Sequence, residues 1–241
     1  MTRFEWMYLC AEPFFPPLNH QIRGRLKKLT RGEKSRMEIL DVGGRLSNYT
    51  IGLPANITVT DLPRNTEIQK TLYLGNTDQM ITRLLARRSN VVSAQYDDMT
   101  RSNLPDEAFD CVVAVEVLEH VELDDTFVSQ VVRVLKPNRY FLMTTPNGEF
   151  VRNVNPDHKR HYTRAGLTEL LSRHFEEVEV EYAVRHGYFY GLGLRSWTWK
   201  HPIRTAMTML GGLVSGFQSF APPPFNLSHQ LIAIARKRGT A

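Results

Sequence analysis

Met37-Glu38-Ile39-Leu40-Asp41-Val42-Gly43-Gly44 is the stretch on which the fold turns. An apolar run that ends in an acid and two glycines reads as a buried strand delivering the chain into a tight turn. A second apolar run, Ile57-Thr58-Val59-Thr60-Asp61, closes on another acid, with Leu62 just beyond it. A carboxylate at the end of that strand can accept two hydrogen bonds from a ribose diol. Glycines at Gly43 and Gly44 let the backbone come close to the ligand.

The pattern continues outward. Val91 to Tyr96 reads as a third strand followed by Asp98, whose carboxylate can accept from an adenine amino group while the backbone of Met99 meets the ring edge. Phe109 to Val115 is almost uninterrupted in apolar residues, as a central strand covered on both faces requires. Cys111 within it reads as a small buried residue. Asp125 to Leu135 places Phe127, Val128, Val131, Val132 and Leu135 at helical spacing, with Lys136-Pro137-Asn138 predicted to end the helix. Tyr140 to Thr144 is a fifth strand. A polar loop, Thr145 to Tyr162, is long enough to be functional or mobile. Thr163 is placed to cap a helix carrying Leu167, Leu170, Leu171 and Phe175. Val178 to Tyr182 alternates as an edge strand, and Leu231 to Ala235 is the last strand. Ahead of them all, Ile22, Leu26 and Leu29 predict an amphipathic helix.

In this order the motifs Leu40-Asp41-Val42-Gly43, Asp61, Asp98-Met99, Phe109-Asp110, Glu116 to Val121 and Leu135-Lys136-Pro137 resemble those of the class I S-adenosylmethionine-dependent methyltransferases, over roughly Glu38 to Phe175. The resemblance implies an α/β Rossmann-like, doubly wound sheet of seven strands, mostly parallel with a final antiparallel strand. It places a helical cap, residues 188–228, between the last two strands. Residues 37–241 form the methyltransferase domain and 1–36 an N-terminal helical segment with a basic face. S-adenosyl-L-methionine is the implied cofactor. Asp41, Gly43 and Gly44 are implied near its methionine end, Asp61 and Leu62 at the ribose, Asp98 and Met99 at the adenine, and Val115 beside the sulfonium. One departure stands out: Arg45 and Ser47 occupy positions where the family usually has further glycines. A left-handed Arg would cost about 1–2 kcal/mol, so the loop is expected to take another path.

Glu116, Glu119 and His120 share one short segment, and Asp157-His158-Lys159-Arg160-His161 follows later. Carboxylates with imidazoles suit a divalent ion such as Mg²⁺ or Mn²⁺, with Glu116, Glu119, His120 and His158 as ligands, which would acidify an acceptor hydroxyl. The Glu-x-x-Glu-His pattern is similar to that of metal-dependent methyltransferases acting on RNA 3′ ends and to that of ubiquinone O-methyltransferases. It also occurs in relatives without a metal, where His120 or His161 would serve as general base.

The chain has 241 residues, a formal charge of +5 and 42% hydrophobic residues, which excludes a disordered, collagen-like or disulfide-stapled protein. Two cysteines, Cys10 and Cys111, fit a reducing cytoplasm, and no targeting segment is expected. Seven of the basic residues lie between Arg23 and Arg36 with a single acid, Glu33, and Arg236-Lys237-Arg238 adds a second basic patch. The rest of the chain is net acidic. Thr205 to Ala235 holds no charged residue, but glycines and prolines break it before it could span a membrane. Trp197, Trp199, Phe217, Phe220 and Phe225 fall in this cap, as packing residues or as walls for an acceptor with an apolar body. The expectation is therefore O-methylation of a small or lipid-like acceptor, with peripheral contact to an anionic membrane. RNA 2′-O-methylation and cofactor binding without transfer are the alternatives. Against RNA, no basic surface interleaved with stacking aromatics is evident.

Overall fold

A computed structural model describes residues 1–64, 75–185, 192, 197–218 and 223–239. Seven strands form one sheet: β1 (Met37–Val42), β2 (Ala55–Asp61), β3 (Val91–Tyr96), β4 (Phe109–Val115), β5 (Leu135–Pro146), β6 (Glu177–Arg185) and β7 (Ser228–Arg236). Their order is β3-β2-β1-β4-β5-β7-β6. The first five run parallel, and β7 is antiparallel to both β5 and β6. The winding reverses between β1 and β4. In such sheets the crevice beyond the carboxyl ends of the strands at that switch point is where ligands bind.

Alternate residues of the central strands feed two cores. Leu40, Val112, Ala114 and Phe141 pack with Phe127 and Val131 of α4 (Asp124–Val134) and with Leu167 and Leu171 of α5 (Arg164–Ser172). On the other face Ile39, Ile57, Val113 and Leu142 meet Ile22 and Leu26 of α2 (Pro17–Thr30). The period of two in the strands and of three to four in the helices makes both faces apolar. Cys111 is buried in this second core, and Thr163 caps α5 by accepting from the Gly166 amide.

The segment after α4 departs from expectation. Leu135 pairs with Phe109, the register then shifts, and Tyr140 pairs with Cys111. The helix ends at Val134, one residue before the expected Leu135, and Lys136-Pro137-Asn138 is itself part of a bulged start of β5, with Asn138 at a positive φ of 61°. The N-terminus also differs, since two helices are present rather than one. The additional helix, α1 (Arg3–Ala11), begins with a capping box between Thr2 and Glu5. Glu5 also receives hydrogen bonds from the backbone and hydroxyl of Ser89, just after α3 (Asp78–Arg87).

The basic stretch of α2 is only in part a solvated face. Arg23 is buried, donating to the Tyr49 and Ile51 carbonyls and pairing with Glu12, while Lys27 pairs with Glu12 and Arg25 with Glu181. The predicted cap contains α6 (Pro202–Gln218), which lies against the N-terminal turn. A Cβ on Gly212 would come within 2.3 Å of the Phe14 carbonyl. Trp197 stacks on Phe15, which stacks on Tyr8, so Trp197 is packing rather than a substrate wall. Phe220 lies outside the described residues.

Candidate active site

The turn after β1 is built on Asp41. Its carboxylate is fully buried and accepts from the hydroxyls of Ser47, Tyr49 at 3.0 Å and Thr50 at 3.1 Å. Burial pushes this carboxyl up, while those hydroxyls and the charge of Arg88 hold it back. Arg88, itself buried, donates to the Thr50 hydroxyl at 2.6 Å and to the Ser47 carbonyl at 3.1 Å. A Cβ on Gly44 would stand 2.3 Å from the Asp41 carboxyl carbon. Asp41 and Gly44 are thus turned into the loop and do not line the cavity beyond the strands, contrary to the sequence expectation. Ser47, Tyr49, Thr50 and Arg88 carried no recognisable local signal. They reach Asp41 only through the fold.

Gly43 does face the cavity, in a left-handed conformation at φ 69°. It is the turn's sole positive φ, because Arg45 sits in a short 3₁₀ turn (Gly44–Leu46) and Ser47 is extended. The displaced path expected of this loop is therefore a 3₁₀ turn. Arg45 sends its guanidinium across to Asp61, with Nε 3.3 Å from Oδ2. The other Asp61 oxygen accepts from the Leu62 amide at 2.8 Å. Burial raises the Asp61 carboxyl, and Arg45 opposes that rise.

Asp61, Leu62, Asp98, Met99 and Val115 join Gly43 around a cavity of about 430 Å³ at the switch point, within the range of small-molecule sites. Burial pushes the Asp98 carboxyl up as well, but the hydroxyl and amide of Thr100, with the Arg101 guanidinium, hold it below the usual range. The same cavity continues past Val115 to Glu116, Val117, His120, Val121 and Leu123. Its far end is apolar apart from Glu116, His120, Glu122 and Asp157.

Here a second group of side chains gathers. One ligand atom from each of Glu119, His120 and His158 lies within 4.8 Å of the others. The Glu119 carboxylate is fully buried and neither oxygen has a hydrogen-bond partner. Burial, with Glu116 nearby, pushes this carboxyl well above the carboxylate range. Glu116, predicted as a fourth ligand, is not in the group: its Oε1 accepts from the Thr144 hydroxyl at 2.9 Å. Glu116 also holds a left-handed φ of 53°, strain of about 1–3 kcal/mol of the kind that collects at functional sites.

The imidazoles are oriented by a relay. His161 Nδ1 lies 2.9 Å from the Val151 carbonyl, which can only accept, so that nitrogen carries the proton. His161 Nε2 then accepts from His158 Nδ1 at 2.7 Å, leaving His158 Nε2 with a lone pair. Burial and the neighbouring His120 and His161 lower the pKa of His158 and favour this neutral form. His120 Nδ1 lies 2.6 Å from an Asp157 oxygen, at ion-pair distance but without hydrogen-bond alignment. His161, expected as a base, is an orienting residue behind His158 and does not line the cavity. The loop bearing these histidines is pinned, with the Lys159 amide donating to the Glu119 carbonyl at 2.7 Å and the Gly148 amide to the Tyr162 carbonyl at 2.8 Å. None of the described cap residues lines the cavity. The cap's final turn instead meets the loop through Asn147, whose amide donates to the Phe225 and Ser228 carbonyls.

A mostly parallel sheet with acids following its second and third strands at one switch-point cavity has the layout of nucleotide-cofactor α/β folds. Residues 43–143 match the methyltransferase domain family. Over 101 residues the chain is 38% identical to a probable S-adenosylmethionine-dependent methyltransferase of Mycolicibacterium smegmatis, covering 40% of this chain and 39% of that protein. Over 123 residues it is 27% identical to a ubiquinone biosynthesis O-methyltransferase of Rickettsia typhi, covering 50% of this chain and 45% of that protein. The alignments thus span less than half the length of these relatives. A crystal structure of a SAM-dependent methyltransferase from Archaeoglobus fulgidus superposes with a TM-score of 0.57 at 16% identity, covering 91% of this chain and 94% of that one. The chain thus shares the fold of S-adenosylmethionine-dependent methyltransferases of solved structure, and its residues 43–143 are similar to the methyltransferase domain family.

Proposed function

We propose that the protein transfers the methyl group of S-adenosylmethionine to a hydroxyl oxygen of a small or lipid-like acceptor. The observation that carries this reading is the buried, unpartnered Glu119 beside two imidazoles, of which His120 lines the far end of the cavity. Methyl transfer from a sulfonium needs alignment and, for a hydroxyl, removal of a proton. Asp61 would take the ribose hydroxyls on the lone pairs that Arg45 and Leu62 leave open, and Asp98 and Met99 would receive the adenine. Val117, Val121 and Leu123 would seat the apolar body of the acceptor next to His120.

Glu119, His120 and His158 fit a divalent metal, because a carboxylate with no protein partner is costly to bury unless a cation meets it. One carboxylate with two imidazoles suits Mn²⁺ better than Mg²⁺, which prefers oxygen. Such an ion supplies Lewis acidity toward an acceptor hydroxyl. Without it, His120, backed by Asp157, is the side chain placed to accept the acceptor's proton.

The test is methyl transfer from labelled S-adenosylmethionine to a panel of phenolic, quinol and lipid-linked hydroxyls and to RNA with a free 3′ end, with Mn²⁺ or with a chelator. Label in an organic-soluble methyl ether supports the proposal. Label in RNA alone, or none in any hydroxyl, contradicts it.

A further inference from the structure

We infer that the face formed by α1 and α6 is a docking surface for an anionic lipid bilayer. Four large apolar side chains of α6, Ile203, Met207, Leu210 and Phe217, are exposed at spacings of four, three and seven, which places them in one stripe along a 17-residue helix. The buried residues of the same helix, Thr208, Gly211, Gly212 and Ser215, form the opposite face that packs on the N-terminal turn. Small residues hold the helix close while large apolar ones face outward, the reverse of an ordinary surface helix.

The stripe is extended on both sides. Trp6 and Met7 of α1 are 63% and 72% exposed and, with Met209, line a groove of about 780 Å³. Phe217 and Leu213 line a second groove, of about 630 Å³, whose other wall is α2 with His20 and Lys28. Trp199, just before α6, is 99% exposed. Aromatic rings with one polar edge favour the bilayer interface over bulk water.

Charge selects the occupant. Residues 182–241 hold no acidic side chain, and Glu181, on the wall of the second groove, is paired with Arg25. Arg3 lines the first groove, Lys28 the second, and Lys200 stands at the start of α6; all three are exposed and none pairs with a carboxylate among the described residues. A second copy of the same face would oppose cation to cation. An anionic bilayer meets the apolar stripe and the cations at once. No helix among the described residues is long and apolar enough to cross a membrane, so the contact is interfacial.

The experiment is co-sedimentation of the full chain with phosphatidylcholine vesicles, with and without phosphatidylglycerol, while tryptophan emission is followed. Expected are binding to the anionic vesicles only, a blue shift, and release by high salt. The pair Met207→Glu with Leu210→Glu should weaken binding at least about tenfold while the circular-dichroism melt stays cooperative. Arg3→Glu with Lys28→Glu should abolish the preference for anionic lipid. No binding at low salt, equal binding to neutral vesicles, or a dimer in light scattering that the Met207→Glu, Leu210→Glu pair dissolves would each overturn the inference.

Discussion

Arg45 lies with its Nε 3.3 Å from Oδ2 of Asp61, both side chains almost buried at the edge of the switch-point cavity. The residue that interrupts the glycine-rich turn is therefore the counter-ion of the acid proposed to receive the ribose. It opposes the burial that raises the Asp61 carboxyl.

Arg45→Ala is expected to weaken binding of S-adenosylhomocysteine about tenfold, the scale of one charge-assisted interaction. The sign with pH follows. The Asp61 pKa is already raised, so affinity falls as pH drops through it and the acid takes a proton. Removing the cation raises that pKa further, so the fall begins at higher pH in the variant. Calorimetric titration of both proteins across acidic to neutral pH checks this.

Gly44→Ala should destabilise by about 1–3 kcal/mol, because the added methyl would stand 2.3 Å from the Asp41 carboxyl carbon. Gly43→Ala meets both a positive φ and the Val117 side chain at 2.8 Å. Urea unfolding of the two variants should show lower midpoints with unchanged slopes.

Arg88→Met removes the buried cation behind Asp41 and takes a donor from the Thr50 hydroxyl and the Ser47 carbonyl. A loss of about 3 kcal/mol is expected, read in the same unfolding assay. An unchanged midpoint would show that the hydroxyls of Ser47, Tyr49 and Thr50 alone sustain Asp41.

Mn²⁺ should raise the melting temperature of the wild type, about 2.7 kcal/mol of stabilisation at a hundredfold excess over its dissociation constant. Glu119→Gln and His158→Ala should abolish the shift, whereas Glu116→Gln should keep most of it, since Glu116 is engaged by Thr144. Differential scanning calorimetry with Mn²⁺, Mg²⁺ and chelator separates these outcomes.

Legibility in the sequence followed the range of the interaction. Met37–Val42 and Phe109–Val115 were readable to the residue, because apolar runs buried on two faces leave an unambiguous pattern, and the partly exposed edge strand Val91–Tyr96 was readable too. Asp61, Asp98 and Val115 were readable because they sit at strand ends, where the topology places ligands. The part of Asp41 was not. Its partners lie on a loop and, for Arg88, past a further strand and helix, and a lone buried acid looks the same in sequence whether it faces a ligand or its own turn. Arg23 likewise reads as one cation among seven until the Tyr49 and Ile51 carbonyls are found around it. The histidines were legible as candidates, but their ranking required the relay from Val151 through His161 to His158.

The most direct test of the account is calorimetric titration of S-adenosylhomocysteine into the wild type and into Asp61→Ala. One site per chain in the wild type, with at least about tenfold weaker binding in the variant, is the predicted result. No binding to the wild type, or equal binding to both, would contradict the assignment of the switch-point cavity as the cofactor site.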